Sequence, residues 1–518
     1  IRKLLIRSVL VMKLIMDLSS RSATLPSDAH KFTEKRIGCF KSHLMFYEWL
    51  AFISMVSLLS MNIYLNIFDQ QNISSFMRKN EQNFEHILSS STADESYLHL
   101  SFANDNWIST TQWPMHKGSE QFKHITGPPI LQRYAIGDEE CKRAINDENF
   151  AARIAKRTQR LNTTIDERID VSCEEVRSRG YYPSYSGDKF SIAYVRVVYK
   201  DYHLQELFFN LMYSPMNIFC YAIDRKASIK FHQQMRNLSY CFPNVYLTKI
   251  EYDVDSAGHN MDQSFLECLH IIRHLPNWKY AILLQNHDIP LKTNREMITI
   301  LQSLNGTNDI SISRPIANRV PNDTDWSYKA LSLFKDAKRN DNRILKIAKG
   351  STAGSLSRAF VEFIVDELNL TTILKRFSKV HYGLDEMVIP SLNSDDGLDA
   401  PGGFTRRCIS QQSSFITRYV VWGWSGLPCK SGRYRHSVCI FGIEDLKILY
   451  NSRYLFANKM LAENDYFAIS CWAKILQNRT YNHNDYRRID VKFYSLLPSV
   501  RFNNNRQKWR ANLAAFKC

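Results

Sequence analysis

Apolar positions between residues 190 and 304 alternate between two periods. Phe190–Tyr199, with Ile192, Val195, Val197 and Val198, reads as a strand. Leu204–Met212 reads as a helix, Asn217–Ile223 as a second strand, Ile229–Met235 as a helix and Val245–Ile250 as a third strand. Phe265–Ile272 is again helical, and Tyr280–Leu284 is a continuous apolar run of the kind a buried strand needs. A helical pattern follows Asn294, which reads as its N-cap, with Met297, Ile298, Ile300 and Leu301 as the apolar face. Strands that alternate with helices predict an α/β fold around a mainly parallel sheet.

The run at Tyr280 turns polar at Asn286-His287-Asp288 and breaks at Pro290. Polar residues at the carboxyl end of a buried strand are where open α/β sheets bind ligands. This stretch therefore marks a site as well as a fold.

Upstream the pattern changes. Trp49–Phe68 carries no charged residue over twenty positions. A helix of that length covers about 30 Å, roughly a hydrocarbon core. Lys31, Lys35, Arg36 and Lys41 precede it and Asp69 follows, so the expected orientation leaves residues 1–48 in the cytosol and the remainder across the membrane. Residues 69–135 are rich in Ser, Asn, Gln and Thr without periodicity and read as a stem. The folded domain is expected over 136–480, with a C-terminal extension over 481–518. Ile1 in place of Met points to a start upstream or to altered first residues, and Ile1–Met16 is too short to span.

Composition supports a lumenal location. Ten of the eleven cysteines lie after residue 68, as do seven glycosylation sequons, at Asn72, Asn162, Asn237, Asn305, Asn322, Asn369 and Asn478. The formal net charge of +16 suggests an anionic partner. With no zinc-finger spacing and no long basic run, a phosphate-bearing substrate fits this charge better than a nucleic acid.

Several blocks carry candidate chemistry. Cys220-Tyr-Ala-Ile-Asp224 places an acid at a strand end, where it can bind a ribose or base or simply make a turn. Lys349-Gly-Ser-Thr-Ala-Gly-Ser-Leu-Ser-Arg358 has small residues that allow close backbone approach. His381-Tyr-Gly-Leu-Asp-Glu-Met-Val-Ile-Pro390 sets Asp385 and Glu386 beside an apolar run. A partly desolvated carboxylate there can act as a general base, and a solvated helix start is the plainer reading. Trp422 and Trp424 could stack on a sugar or belong to the core. Arg435, His436 and Lys459 are natural partners for a diphosphate. Asp253-Val-Asp255 has the spacing of a metal-binding Asp-x-Asp pair, but it follows the third strand rather than the strand ending at Asn286-His287-Asp288, so no metal is expected.

Taken in order, these blocks resemble the core-2/I-branching β-1,6-N-acetylglucosaminyltransferase family, which also holds the peptide O-xylosyltransferases. The matching pieces are Trp278-Lys-Tyr with Asp288-Ile-Pro-Leu-Lys-Thr-Asn294, Gly350-Ser with Ser357-Arg358, Asp385-Glu386, Trp422, Ser437-Val-Cys-Ile-Phe-Gly442 and Phe456-Ala-Asn-Lys459. They cover about residues 138–475. The resemblance implies a GT-A-type nucleotide-diphospho-sugar transferase fold in a type II Golgi membrane protein. It also implies metal-independent, inverting transfer of N-acetylglucosamine from UDP-GlcNAc to a 6-hydroxyl of an O-glycan. Glu386 would be the base and Asp224 would hold the uridine. Lys459, with Arg435 or His436, would neutralise the diphosphate, and Asp288 and Lys292 are assigned to the same donor side. Trp422, Trp424 and Asp385 would line the acceptor site. The implied bridges are Cys141–Cys471, Cys173–Cys241, Cys220–Cys268 and Cys429–Cys439, with Cys408 and Cys518 left free or paired.

The chain departs from that pattern in places. His436 stands where the family has Arg, with Arg435 one place earlier, and Trp424 stands where Tyr is usual. The acidic and basic acceptor residues are not recognisable in Asp309–Asp325. The alternatives are therefore transfer of glucose or xylose, or a silent glycan-binding member. A homodimer is compatible with either.

Overall fold

The computed structural model describes residues 127–518 apart from 162, 181, 183–188, 322–323, 410, 412–414 and 482–488. The segment predicted to span a membrane, Trp49–Phe68, lies outside the described residues, as do residues 1–48 and most of the expected stem. Among the described residues no helix is long and apolar enough to cross a membrane.

Three strand–helix–strand units build the sheet: β1 (Ser191–Val198), α1 (Tyr202–Met212), β2 (Ile218–Ile223), α2 (Ile229–Cys241), β3 (Val245–Leu247), α3 (Met261–Arg273) and β4 (Trp278–Gln285). The strand order is β3-β2-β1-β4 with all pairs parallel, closed on one side by an antiparallel strand spanning Gly354–Ser357. This mixed α/β arrangement with a mainly parallel sheet fits the GT-A-type fold.

Both faces of the sheet are covered, which explains why its strands read as near-continuous apolar runs. Ile192, Tyr194 and Val198 of β1 join one buried cluster, while Ala193, Val195 and Val197 join the other. Two predicted boundaries move. The third strand stops at Leu247 rather than Ile250, because it pairs only with β2 and Ile250 is half exposed at 52 %. The helix after β4, α4 (Asn294–Ser303), is capped by Thr293 and not by Asn294. Thr293 Oγ1 accepts from Glu296 N while Glu296 Oε2 accepts from Thr293 N, a reciprocal capping box.

The second half of the chain is less regular. Taking the Gly354–Ser357 strand as β6, a small three-stranded sheet forms from β5 (Ile289–Pro290), β7 (Arg418–Val420) and β10 (Phe456–Asn458), with β10 in the middle. A hairpin joins β8 (Tyr434–Arg435) to β9 (Val438–Cys439). Five disulfides staple this framework. Four join the pairs that the resemblance implies, and the fifth joins Cys408 to Cys518.

The expected ends of the domain are extended on both sides. Residues 127–135 include a short helix, Pro129–Gln132, whose Leu131 is buried. In the C-terminal segment, Phe502 and Phe516 pack with Ile312, Phe404 and Cys408 in a small third cluster.

Candidate functional site

A cavity of about 850 Å³ opens at the carboxyl ends of β1, β2 and β4. Its floor is made by the residues that leave these strands. Tyr199, Lys200 and Asp201 follow β1, Asp224 follows β2, and Asn286 and His287 follow β4. Local bonds hold this floor. Asn286 Oδ1 accepts from Tyr199 N at 2.8 Å, and His287 Nε2 meets Asp201 Oδ2 at 2.9 Å.

Asp224 lines the cavity, as do Thr164, Ser228 and Gln234. Its carboxylate meets Lys226 Nζ at 3.0 Å. Cations collect on the wall. Lys459, Arg418 and Arg435 all line the wall. Burial, with Arg435 and Arg418 beside it, pulls the Lys459 ammonium down to about 8. Arg418 Nη1 donates to Gln285 Oε1 at 2.7 Å. Glu463 takes Arg435 Nη1 at 2.7 Å and Lys200 Nζ at 2.9 Å.

Glu386 lines the same cavity. Its Oε2 meets Arg319 Nη1 at 2.7 Å and Lys349 Nζ at 3.0 Å. Asp385 beside it is buried and accepts from Thr352 Oγ1 at 2.7 Å. Burial pushes the Asp385 carboxyl up to about 6. The Thr352 hydrogen bond opposes this, and the Glu386 charge adds to it. Asp262, also buried, is raised well above the ordinary carboxylate range by burial with Asp385 adding to the effect.

The predicted residues divide clearly. Glu386, Asp385, Asp224, Arg435, His436, Lys459 and Trp422 all line the one cavity. Asp288 and Lys292 do not. Asp288 is fully buried behind the wall, where it accepts from Asn458 Nδ2 at 2.8 Å and lies 3.5 Å from Arg418 Nη1. It thus holds the residues next to the site rather than facing a ligand. Lys292 is 3 % exposed and donates to Ser452 O at 2.6 Å. Trp424 stands outside the wall at 72 % exposed, its ring stacked 4.9 Å from Trp422.

The Arg435–His436 offset falls at a strand end. Arg435 ends β8, whereas His436 and Ser437 form the two-residue turn with φ of 52° and 61°. The Asp253–Asp255 pair is already engaged. Asp253 accepts from Arg225 Nε at 3.0 Å, and Asp255 Oδ1 accepts from Ala257 N at 2.9 Å while its Oδ2 meets His259 Nδ1 at 2.8 Å. Of the sequons, Asn237 and Asn305 are exposed, Asn369 and Asn478 are half-buried, and Asn72, Asn162 and Asn322 lie outside the described residues.

Sequence reasoning missed Arg418, Arg319 and the partner of Lys349. Arg418 is the one cation in an otherwise apolar run, Arg418-Tyr-Val-Val-Trp422, and that contrast was a usable signal. Arg319 had none, because its partner lies 67 residues away.

Comparison with known proteins follows the same segments. The sequence profile described as Core-2/I-Branching enzyme matches residues 192–449. Over 306 residues the chain is 30% identical to the "Beta-1,3-galactosyl-O-glycosyl-glycoprotein beta-1,6-N-acetylglucosaminyltransferase 4" of Danio rerio, covering 56% of this chain and 70% of that protein. The chain belongs to the Core-2/I-Branching enzyme family. It is a glycosyltransferase. It is also 31% identical to the Mus musculus protein of the same description over 308 residues, 56% of this chain and 67% of that one. A Homo sapiens "N-acetyllactosaminide beta-1,6-N-acetylglucosaminyl-transferase" is 29% identical over 343 residues, 63% of this chain and 82% of the relative. The matched region of the family profile holds β1 through β9, and with them Asp224, Glu386, Arg418 and Arg435, while Lys459 falls just beyond it.

Proposed function

We propose that this enzyme transfers N-acetylglucosamine from UDP-GlcNAc to the 6-hydroxyl of an O-glycan, with inversion and without a divalent metal. The observation that carries the reading is that a single cavity contains both the Glu386 carboxylate and the Lys459, Arg418 and Arg435 cations. Glu386 takes the proton of the acceptor hydroxyl. The hydroxyl oxygen forms its bond to the anomeric carbon from the face opposite the nucleotide, and the bond from that carbon to the β-phosphate oxygen breaks. The departing diphosphate gains charge as it leaves. Fixed cations stabilise it there without reorganising, as a bound ion would elsewhere. Asp224 holds the uridine, and Trp422 backs the acceptor sugar. The relatives named as β-1,6-N-acetylglucosaminyltransferases support the choice of donor sugar and linkage. The engagement of Asp253 by Arg225 and of Asp255 by its own loop supports chemistry without a metal.

The predicted segment Trp49–Phe68 and the downstream sequons support placement as a type II protein of the Golgi membrane. The test is a screen of purified protein against UDP-GlcNAc, UDP-glucose and UDP-xylose with simple O-glycan acceptors, with and without EDTA. The expected result is a β-1,6-linked product from UDP-GlcNAc that survives EDTA. Product from another donor alone would replace the donor assignment. Activity abolished by EDTA and restored by manganese would overturn the metal-free mechanism. Binding without turnover for every donor would identify a silent member.

A further inference from the structure

Glu386 is held from behind. Its backbone carbonyl accepts from Gly350 N at 2.8 Å. Lys349, the residue before, is fixed by paired backbone bonds to Ser313, with Ser313 N donating to Lys349 O at 2.6 Å and Lys349 N donating to Ser313 O at 3.0 Å. The glycine has a steric reason. A Cβ at Gly350 would lie 2.0 Å from Ser311 O and 2.7 Å from Pro390 Cγ, so this loop is wedged between two segments and cannot move away. From that anchored position Lys349 Nζ reaches Glu386 Oε2 at 3.0 Å. Arg319 approaches the same oxygen across Gly383. That residue has φ +73°, and a Cβ there would lie 2.3 Å from Arg319 Nη1.

Two features of this arrangement matter. Both cations act on Oε2, so among the described residues Oε1 is the carboxylate oxygen left for the acceptor. Neither Arg319 nor Lys349 belongs to the cavity wall. Arg319 is shared with a second feature of the site, because its guanidinium sits 5.3 Å over the ring of Tyr382, which does line the cavity. Lys349 has no such second engagement among the described contacts, and its ion pair is with Glu386 alone.

We propose that Lys349 is a positioning residue for the catalytic base. It fixes the Glu386 carboxylate through Oε2 so that Oε1 meets the acceptor hydroxyl, and it contacts neither donor nor acceptor. This rests on Glu386 being the base, so Glu386→Gln is measured alongside. In the full chain, Lys349→Gln should lower kcat roughly tenfold or more, as expected for loss of a charge-assisted contact, while the KM for donor and the Kd for UDP stay within about twofold. Lys349→Arg restores the cation and should recover kcat to within a few-fold of wild type.

Wild-type kcat in Lys349→Gln overturns the proposal. So does a change confined to KM or UDP affinity, which would make Lys349 a substrate contact. If Lys349→Gln does not fold, Lys349→Arg decides: a kcat as low as that of Glu386→Gln overturns the proposal. Full turnover in Glu386→Gln is a separate result. It removes the base assignment itself, whereas lost turnover there with wild-type Lys349→Gln removes only the role of Lys349.

Discussion

Two clusters of side chains at the cavity, one around Glu386 and one around Lys459, handle charge in opposite ways. At Glu386 one carboxylate is met by two cations, Arg319 and Lys349, and the group is electrically satisfied before any substrate binds. At Lys459 the balance is reversed. Arg435 and Arg418 crowd a lysine that burial has already weakened, and Asp288 is the one anion acting on it from behind. On the proposed assignment, the first cluster would receive a neutral sugar alcohol, since its carboxylate is already engaged by protein cations. Around Lys459 the cations Lys459, Arg418, Arg435 and Lys200 outnumber the carboxylates of Asp288 and Glu463, and a diphosphate would offset the excess. A single cavity can therefore keep acceptor and donor in separate places by electrostatics alone.

The sharpest way to break this comparison is at the base. Glu386→Gln should lower kcat by about 10²–10⁴, the usual range for a lost general base, with UDP affinity unchanged in a binding titration. Lys459→Met should do the reverse. UDP binding should weaken by roughly 10- to 100-fold, in line with loss of a hydrogen bond to a charged group, and calorimetry would read it directly.

The third effect is smaller and depends on pH. Lys459 is charged below about 8 and neutral above it in the free enzyme. UDP affinity should therefore fall as pH rises through that value, and this step should be absent from Lys459→Met. A flat profile in the parent enzyme would show that the crowding in this cluster does not govern donor capture.

The smallest effect concerns stability at the satisfied cluster. The folded-state value of Asp385 is raised from 3.8 to about 6. The native protein therefore binds more protons than the unfolded chain between those values, and stability declines as pH rises through that window. Asp385→Asn keeps an acceptor for Thr352 and removes the charge. It should raise stability by about 1–3 kcal/mol at pH 7 and by much less at about pH 4, read as a shift in Tm. An equal gain at both pH values would mean that packing rather than charge is responsible.

The sheet was legible because its signal is local. The run through β1 and the run through β4 are apolar on both faces, and each identifies itself without reference to a partner. The position of Asp224 at the end of such a run was legible too, and there its Oδ1 accepts from Lys226 N at 2.9 Å, the local turn contact that was the plainer reading. The N-cap was misread because Thr293 and Asn294 are both good caps, and only the reciprocal bond from Glu296 separates them.

The cations behind Glu386 were not legible. Arg319 comes from a turn between Pro315 and Pro321, and nothing in its neighbourhood reports a partner 67 residues away. Lys349 was visible only as the start of a small-residue block, and the value of Gly350 appears once Ser311 and Pro390 are seen pressing on it. Asp288 gave a misleading signal. A polar residue after a strand suggested a ligand contact, yet its bonds to Asn458 and Gln285 make it a support for the wall.

Glu463 already sits between Lys200 and Arg435 in the free enzyme. On the proposed assignment of Arg435 to the donor diphosphate, loading would be an exchange of counter-ions, in which the Glu463 carboxylate yields to phosphate oxygens. Capture should consequently respond less to ionic strength than the number of basic groups suggests. The same carboxylate is on hand to reclaim its partners when spent UDP departs, which favours turnover over product retention.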